Sequence, residues 1–242
     1  VYSSTDLDIR TSGKSFDILK SKNIKVTKNF LSTNSKKIYR NYFYSIKKKK
    51  PYVFGKLAIS RDFFLKDTKN LYITNSHSLA ATHILRSKIN CILTTSKTIN
   101  DDNPKLNCRI NGLYNQSPNV AILDKNLKIK LKSYLINNAK NIKTYLFYNT
   151  NNKKKINFLK SKKVQLIYTP IKENNLNFDF ILRKLSTLEV SSILIEGGKT
   201  LIASLLKRNY FNEFYLFISS KSLKKGGSLK FKNIKSKLYS KF

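Results

Sequence analysis

The sequence contains no methionine and no tryptophan, and it has only two cysteines among 242 residues. Because no methionine stands at the first position, we expect the chain to begin inside a longer coding sequence. The cysteines, Cys91 and Cys108, are too few for a disulfide framework and form no Cys-x-x-Cys pair. These absences exclude the small disulfide-stapled proteins and favour a reducing cytoplasm as the compartment.

Long apolar runs are also missing from the sequence. No stretch reaches the roughly 18 residues that suggest a membrane span, and the first 17 residues are polar, unlike a signal peptide. We therefore expect no membrane partner. The remaining composition, 40% hydrophobic and 12% aromatic, is sufficient for a packed core in one large domain or two small ones.

Acidic residues are scarce, with 13 against 48 basic residues, and the formal net charge is +35. Such a charge usually indicates nucleic-acid binding. Only seven of the basic residues are arginine, however, and lysine, asparagine, isoleucine, tyrosine and phenylalanine together are typical of an AT-rich coding sequence. We interpret the lysines, including the runs 47–50 and 153–155, as loop or surface charge and predict no specific nucleic-acid partner. A basic nucleic-acid-binding domain remains the alternative.

Apolar segments of strand length alternate with segments of helical periodicity. Helical spacing is found over 77–87, with Ser76 as the expected cap, after Asn177, and from the glycine pair at 197–198 to Arg208. The N-terminal part predicts a short helix that leads into a strand near 24–26, and a second helix over 35–46. The strand-like segments are 52–60, 90–94, 119–123, 143–148, 164–168, 191–196 and 214–219. This alternation predicts an α/β fold with a central, mostly parallel sheet flanked by helices.

A glycine turn follows the buried segment 191–195. Residues 196–200 read Glu-Gly-Gly-Lys-Thr, so a strand ends in a carboxylate and two glycines lead into a helix. Glycine allows a phosphate to approach the backbone, and the start of a helix offers unpaired N–H groups. The turn is not a nucleotide-triphosphate loop, because Ile193 stands where that motif requires glycine. It predicts a dinucleotide phosphate site, with a glycine turn needed only for packing as the alternative.

Three further polar features lie at the ends of predicted elements. Asp101 and Asp102 precede an Asn-Pro step, which indicates either a fixed functional loop or a helix cap followed by a turn. Lys56 lies where a strand leaves its apolar run, facing either a pocket or solvent. His77 and His83 are six residues apart on one predicted helix and do not share a face, so we predict no metal site.

Taken in order, these segments resemble the reductase domain of the bifunctional deaminase–reductase of riboflavin biosynthesis, which has a dihydrofolate-reductase-like fold. The resemblance covers about residues 51–220. One departure is Phe63, which replaces the glycine of the family's Ser-x-Asp-Gly pattern. The matching stretches are Pro51 with the apolar strand and Lys-Leu-Ala-x-Ser-x-Asp up to Asp62, and then 72–74, 85–87, 92–94 with Thr98, 102–109 and 195–206.

The resemblance implies hydride transfer from NADPH to 5-amino-6-(5-phosphoribosylamino)uracil, whose ribosyl group becomes ribityl. Asp102 and Glu196 would orient the ribose hydroxyls or handle a proton, and Arg86 and Arg109 would bind the sugar phosphate. The implied cofactor residues are Ala58, Tyr72, Thr98, Asp102, Gly198, Lys199, Thr200, Leu201, Ile202, Ala203 and Ser204. The implied substrate residues are Lys56, Asn70, Arg86, Leu106, Arg109 and Glu196.

The resemblance also implies a domain organisation. Residues 1–50 are similar to the C-terminal remnant of the deaminase domain plus a linker, and 51–242 to the reductase domain, which we expect to be truncated at its C-terminus. The His-x-Glu and paired-cysteine zinc motif of the deaminase is missing, so we expect neither deaminase activity nor zinc. A homodimer is expected because relatives associate through this domain. A dihydrofolate-reductase-like enzyme with another pterin or pyrimidine substrate remains an alternative.

Overall fold

The computed structural model describes residues 1–8, 10–69 and 73–241. The chain divides into two compact units, a smaller one of residues 1–52 with 182–192 and a larger one of residues 53–181 with 193–242. The candidate site residues that the structure describes all lie in the larger unit.

The smaller unit contains three short N-terminal helices, α1 (Lys14–Ser21), α2 (Ser32–Ile38) and α3 (Arg40–Lys48). The predicted single helix over 35–46 is therefore wrong, because Tyr39 leaves the helical region and separates α2 from α3. The strand predicted near 24–26 is also wrong: these residues have no regular secondary structure, and the backbone hydrogen bonds to the neighbouring first residues come after them, from Tyr2 N–H to Thr27 O at 3.0 Å and from Phe30 N–H to Tyr2 O at 3.2 Å. A hydrogen bond from Tyr42 Oη to Asp6 Oδ1, 2.7 Å long, ties α3 to the first residues.

A seven-stranded sheet forms the centre of the larger unit. The strands of the chain are β1 (Tyr52–Ile59), β2 (Phe64–Asp67), β3 (Cys91–Thr95), β4 (Asn119–Leu123), β5 (Thr144–Tyr148), β6 (Gln165–Tyr168), β7 (Ile171–Lys172), β8 (Asn175–Leu176), β9 (Ser192–Ile195), β10 (Glu213–Ile218) and β11 (Gly227–Lys230). The order of strands in the central sheet is β10-β1-β9-β3-β4-β5-β6, and β1–β10, β3–β9, β3–β4, β4–β5 and β5–β6 all pair in parallel. The predicted α/β class with a parallel central sheet is confirmed.

Helices connect the strands. They are α4 (Ser76–Ser87), α5 (Ser96–Asp102), α6 (Tyr134–Asn137), α7 (Lys153–Ser161), α8 (Phe178–Thr187), α9 (Lys199–Lys207) and α10 (Ile234–Tyr239). The cap of α4 is Asn75 rather than Ser76, because Asn75 Oδ1 accepts the Ser78 N–H at 3.0 Å. The lysines at 153–155, predicted as loop or surface charge, form the largely exposed first turn of α7, which buries Leu159 completely.

The central strands are buried along most of their length. Ile92, Leu93, Ile193, Leu194 and Ile195 are each 0% exposed, as expected where helices cover both faces of a parallel sheet. Such continuous apolar runs, rather than alternating ones, explain why β3 and β9 could be located from sequence. They form a rigid platform whose carboxyl ends carry polar residues.

A small antiparallel sheet of β2 and β11 begins at a tight turn after β1. Phe63 has a φ of 70°, so it keeps the left-handed conformation for which the family uses glycine. The strain of about 1–2 kcal/mol is offset by the turn's contacts: Asp62 accepts the Leu223 and Lys224 N–H groups at 3.0 and 2.8 Å. The hydrogen bond from Ser60 and these two N–H groups lower the pKa of Asp62 to about 2.

Candidate active site

Polar side chains from several elements meet at the carboxyl ends of the central strands, where α/β sheets bind ligands. Glu196 directly follows β9, and its N–H donates to Leu93 O on β3 at 3.0 Å. Lys56 lies on the neighbouring strand β1, and Arg86 lies in the last turn of α4. Strands β1 and β9 and helix α4 therefore fix the positions of these charges.

The centre of this region is an ion pair between Arg86 and Glu196. Arg86 Nε donates to Glu196 Oε1 at 2.7 Å, and Arg86 Nη2 donates to Glu196 Oε2 at 2.9 Å. The third guanidinium nitrogen, Nη1, donates to Asn107 O at 3.1 Å. The two side chains are only 11% and 12% exposed. This two-pronged geometry fixes the direction of both groups and is the strongest form of the Arg–carboxylate contact.

The charges around Glu196 determine whether its carboxyl group is protonated. Burial alone would raise the pKa of Glu196, but the charge and hydrogen bonds of Arg86, with the charge of Lys56, lower it. Burial also lowers the pKa of the Lys56 ammonium, and the Glu196 carboxylate opposes that shift. Glu196 is therefore ionised at neutral pH, and the geometry favours it as a hydrogen-bond acceptor rather than as a proton donor.

The segment 106–109 is held against α4. Arg109 N–H donates to His83 Nδ1 at 3.2 Å, and Arg109 Nη1 donates to Asn107 Oδ1 at 2.9 Å. Leu106 buries its side chain, 4% exposed, and has a φ of 53°. Its predicted contact with substrate must therefore come from its backbone or from one edge of the side chain, while the Arg109 guanidinium is exposed.

Asp102 belongs to a separate, exposed pair. At the end of α5 it accepts a hydrogen bond from Lys66 Nζ on β2 at 2.8 Å, and the two side chains are 46% and 42% exposed. Within the described part of the chain, no hydrogen bond joins Asp102 to Arg86 or Glu196. Solvent screens such a pair, so its contribution to stability is small, and the Asp102 carboxylate is accessible to a ligand.

The glycine turn has the features of an anion site. Gly198 caps α9 with φ and ψ of −71° and 171°, and a Cβ at this position would meet no atom within 4 Å. Neither the backbone nor close packing requires glycine here, so the space beside it is open to a ligand. In the part of the chain that the structure describes, the first three N–H groups of α9 have no hydrogen-bond partner, which is the usual arrangement of an anion site. At Gly197, by contrast, a Cβ would lie 2.8 Å from Leu201 Cδ2.

The remaining predicted cofactor residues differ in how accessible they are. Lys199, Thr200 and Ser204 are exposed, while Ala58, Thr98, Leu201 and Ala203 are partly buried. Ile202 is 0% exposed, so its side chain packs in the core and only its backbone is available to a cofactor. The predicted site residues Asn70 and Tyr72 lie outside the described residues.

Neither a metal site nor a membrane helix is found in the described ranges. No group of three or more histidine, cysteine or acidic residues in residues 1–8, 10–69 and 73–241 is arranged to hold a metal ion. Within the same residues, every helix is too short or too polar to cross a membrane.

The structure brings together Lys56, Arg86 and Glu196 and links Arg109 to them through Asn107. It also adds two residues that sequence reasoning missed, His83 and Lys66. The sequence indicates His83 only as a candidate metal ligand. It lies three residues before Arg86, however, and this spacing places both residues on neighbouring turns of α4. Nothing in the sequence around Lys66 points to Asp102.

Known proteins are similar to this chain in sequence and in fold. Residues 51–233 match the family model described as the RibD C-terminal domain. The riboflavin biosynthesis protein RibD of Aquifex aeolicus is 28% identical over 95% of this chain, and the chain spans 63% of that protein's length. The structure of Acinetobacter baumannii RibD has a TM-score of 0.78 at 21% identity and covers 95% of this chain and 63% of the other.

A third similar protein is smaller. The Saccharomyces cerevisia riboflavin biosynthesis reductase Rib7 has a TM-score of 0.62 at 22% identity, over 82% of this chain and 88% of the other. At these identities the two structural likenesses show the fold, and they confirm the predicted dihydrofolate-reductase-like class. The family model covers most of the chain. The chain belongs to the RibD C-terminal domain family.

Proposed function

We propose that this chain is the reductase part of a riboflavin-biosynthesis enzyme, which uses NADPH to convert the ribosyl group of 5-amino-6-(5-phosphoribosylamino)uracil to ribityl. The observation that carries the proposal is the buried Arg86–Glu196 pair beside Lys56, at the carboxyl edge of the sheet. A relative of this family is named for riboflavin biosynthesis, and a protein of this fold is named as a reductase of that pathway.

The cofactor would lie with its phosphates at the start of α9. The open space beside Gly198 and the unpaired N–H groups behind it suit a pyrophosphate. Exposed Lys199 and Thr200 add a positive charge and a hydroxyl at the same place. When bound, NADPH supplies the hydride, and the protein contributes its position and the surrounding charge.

The substrate would be held by charges at the inner end of the site. The exposed Arg109 guanidinium, already oriented by Asn107, suits the sugar phosphate. Lys56 and the ionised Glu196 face the ribose, where Glu196 accepts hydrogen bonds from hydroxyls with the lone pairs that Arg86 leaves unused. Asp102, exposed at the outer end, remains the candidate for a contact to the cofactor.

The proposal extends to the organisation of the protein. We assign residues 1–50 to the tail of a deaminase domain with a linker, and residues from 51 onward to the reductase domain. The curated relatives that the chain matches are longer than the chain, which spans 63% of the first and 58% of the second. We further propose that the protein acts in the cytoplasm as a homodimer.

The decisive experiment is NADPH binding by the purified chain, measured through the fluorescence of the nicotinamide. We expect binding in the wild type and an affinity about tenfold lower, equivalent to about 1.4 kcal/mol, in Gly198→Ala. The added methyl group occupies the space that the phosphate needs, yet the φ of −71° allows alanine without strain, so stability is retained. Arg109→Ala should instead raise KM for the pyrimidine substrate and leave NADPH binding unchanged.

Gly226→Ala is the matched control, because a Cβ there also meets no atom within 4 Å. A folded sample that does not bind NADPH contradicts the proposal. Equal NADPH affinities of Gly198→Ala and wild type would contradict the placement of the phosphates. Tight binding to DNA or RNA that weakens linearly with the logarithm of salt concentration, and is unaffected by Gly198→Ala, would favour a nucleic-acid function instead.

A further inference from the structure

One helix holds the segment that carries Arg109 at two points. From α4, Arg86 Nη1 donates to Asn107 O at 3.1 Å, and His83 Nδ1 accepts the Arg109 N–H at 3.2 Å. A carbonyl and an N–H of the same short segment are thus satisfied by side chains three residues apart on α4. The segment has no regular secondary structure of its own, so its backbone is fixed by these two contacts and by the hydrogen bond from Cys108 N–H to Ser117 Oγ at 3.1 Å.

The contacts determine which nitrogen of His83 carries the proton. Nδ1 also lies 3.1 Å from Asn107 O, to which it would donate if protonated. That carbonyl already accepts from Arg86, whereas the Arg109 N–H has no other acceptor among the described residues. Because an unsatisfied N–H is costly, the neutral ring with its proton on Nε2 and a free lone pair on Nδ1 is favoured.

We propose that His83 is a positioning residue, whose neutral Nδ1 holds the backbone of Arg109 so that its guanidinium faces the phosphate of the substrate. The inference rests on the proposed function, to which it adds a residue that does not itself touch the substrate. It also makes substrate binding sensitive to pH, because a protonated ring cannot accept the Arg109 N–H and donates to Asn107 O instead.

The charged groups around His83 set the direction of this sensitivity. They are Arg86 on the same helix, Arg109 on the facing segment and Glu196 after β9. Burial, followed by the two arginines, lowers the pKa of His83 below its ordinary value of 6.5, and the contact with Asn107 O and the Glu196 carboxylate oppose this shift. The ring is therefore neutral at pH 7, and the hold on Arg109 is lost on acidification.

The kinetic test compares His83→Leu, which removes the acceptor, with His83→Asn, whose Oδ1 replaces Nδ1 at the same distance from the backbone. For His83→Leu we expect KM of the pyrimidine substrate to rise about fivefold, the value of one neutral hydrogen bond, with little change in kcat or in NADPH affinity. His83→Asn should restore KM and also remove the rise in KM that the wild type shows on acidification. His77→Ala, on the exposed start of the same helix, is the control.

A second measurement does not depend on turnover. The chain has only two histidines, so the ring nitrogen spectrum of His77→Ala reports His83 alone. We expect an unprotonated Nδ1 at pH 7, and an exchange of the Arg109 amide hydrogen about tenfold faster in His83→Leu but not in His83→Asn.

If the wild type shows no turnover while the Arg109 amide behaves as expected, the proposed function fails and the hold of His83 on Arg109 stands. A proton on Nδ1 at pH 7, or an unchanged Arg109 exchange rate in His83→Leu, overturns the inference. An unchanged KM in an active, folded His83→Leu enzyme overturns it as well.

Discussion

Two ion pairs in the site region have almost the same length and very different surroundings. The inner pair, Arg86–Glu196, has a shortest contact of 2.7 Å with side chains 11% and 12% exposed, whereas the outer pair, Lys66–Asp102, measures 2.8 Å with 42% and 46% exposed. The inner pair joins α4 to the end of β9 by two parallel hydrogen bonds, while the outer pair is a single contact between a short strand and a helix end. The length of the contact therefore does not predict which pair contributes more to stability. The burial of the side chains does, because water screens the charges of the outer pair and not those of the inner pair.

The largest effect is expected from breaking the inner pair on one side. Glu196→Gln leaves the buried Arg86 guanidinium without its counter-charge, so the free energy of unfolding should fall by about 3 kcal/mol. The double variant Arg86→Met with Glu196→Leu should recover part of this stability, since it removes both charges of the pair and leaves Lys56 without the Glu196 carboxylate, but it should have no reductase activity. Urea unfolding of the wild type, of Arg86→Met and Glu196→Leu singly, and of the double variant gives the coupling energy. A coupling as small as that of an exposed pair would refute the distinction between the two pairs.

A smaller effect is expected from pH, and it should separate the inner pair from the residues around it. The folded-state pKa values of His83 and Glu196 lie below their ordinary values of 6.5 and 4.5. A lowered pKa means that the unfolded chain binds the proton more tightly, so stability is complete above the ordinary value and is lost as the pH falls. The urea midpoint should therefore begin to decrease below about pH 6.5 and decrease more steeply below about pH 4.5.

The two steps can be assigned by substitution. His83→Asn should abolish the upper step and keep the lower one, while Glu196→Gln should flatten the lower step. Some loss of stability on acidification will remain in Glu196→Gln. Asp62 has a pKa of about 2 in the folded chain, so its contacts in the turn are lost at a lower pH than those of Glu196. A midpoint that stays constant down to pH 5 in the wild type would be inconsistent with a partly buried, neutral His83.

The smallest effect on stability is expected at the outer pair. Lys66→Met and Asp102→Asn should each change the free energy of unfolding by less than about 0.5 kcal/mol, and the double-mutant cycle should give a similarly small coupling. Function should respond differently, because Asp102 is the candidate cofactor contact: Asp102→Asn should weaken NADPH binding, while Lys66→Met should not. Loss of several kcal/mol of stability in either variant would show that the outer pair is shielded from solvent.

The sequence alone was sufficient for most of the sheet. The strand expected over 119–123 coincides with β4, and those expected over 52–60 and 214–219 coincide with β1 and β10 to within one residue at each end. These strands are apolar runs bounded by polar residues, interrupted in β1 by Gly55 and Lys56, and such runs can be recognised in the sequence. The short strands β2 and β11, which read Phe-Leu-Lys-Asp and Gly-Ser-Leu-Lys, were missed because neither has a repeating apolar pattern.

The sequence predicted residues of the site but not which of them contact one another. Motif order pointed to Arg86, Asp102, Arg109 and Glu196, yet it assigned both arginines to phosphate, whereas Arg86 makes its strongest contacts with Glu196. That pairing joins residues 110 positions apart, and only the closed sheet brings them together. Long-range hydrogen bonds of this kind leave no local pattern, which is also why His83 was not connected with Arg109.

Helix α4 sets a distance in the site. His83 and Arg86 are three residues apart on a helix that rises about 1.5 Å per residue, and His83 Nδ1 and Arg86 Nη1 both lie 3.1 Å from Asn107 O. The same helix therefore positions Glu196, through Arg86, and the backbone of Arg109, through His83. A ligand that contacts both Glu196 and the Arg109 guanidinium has to match a spacing determined by a helix, and this favours one arm length between its ring and its phosphate over shorter and longer ones.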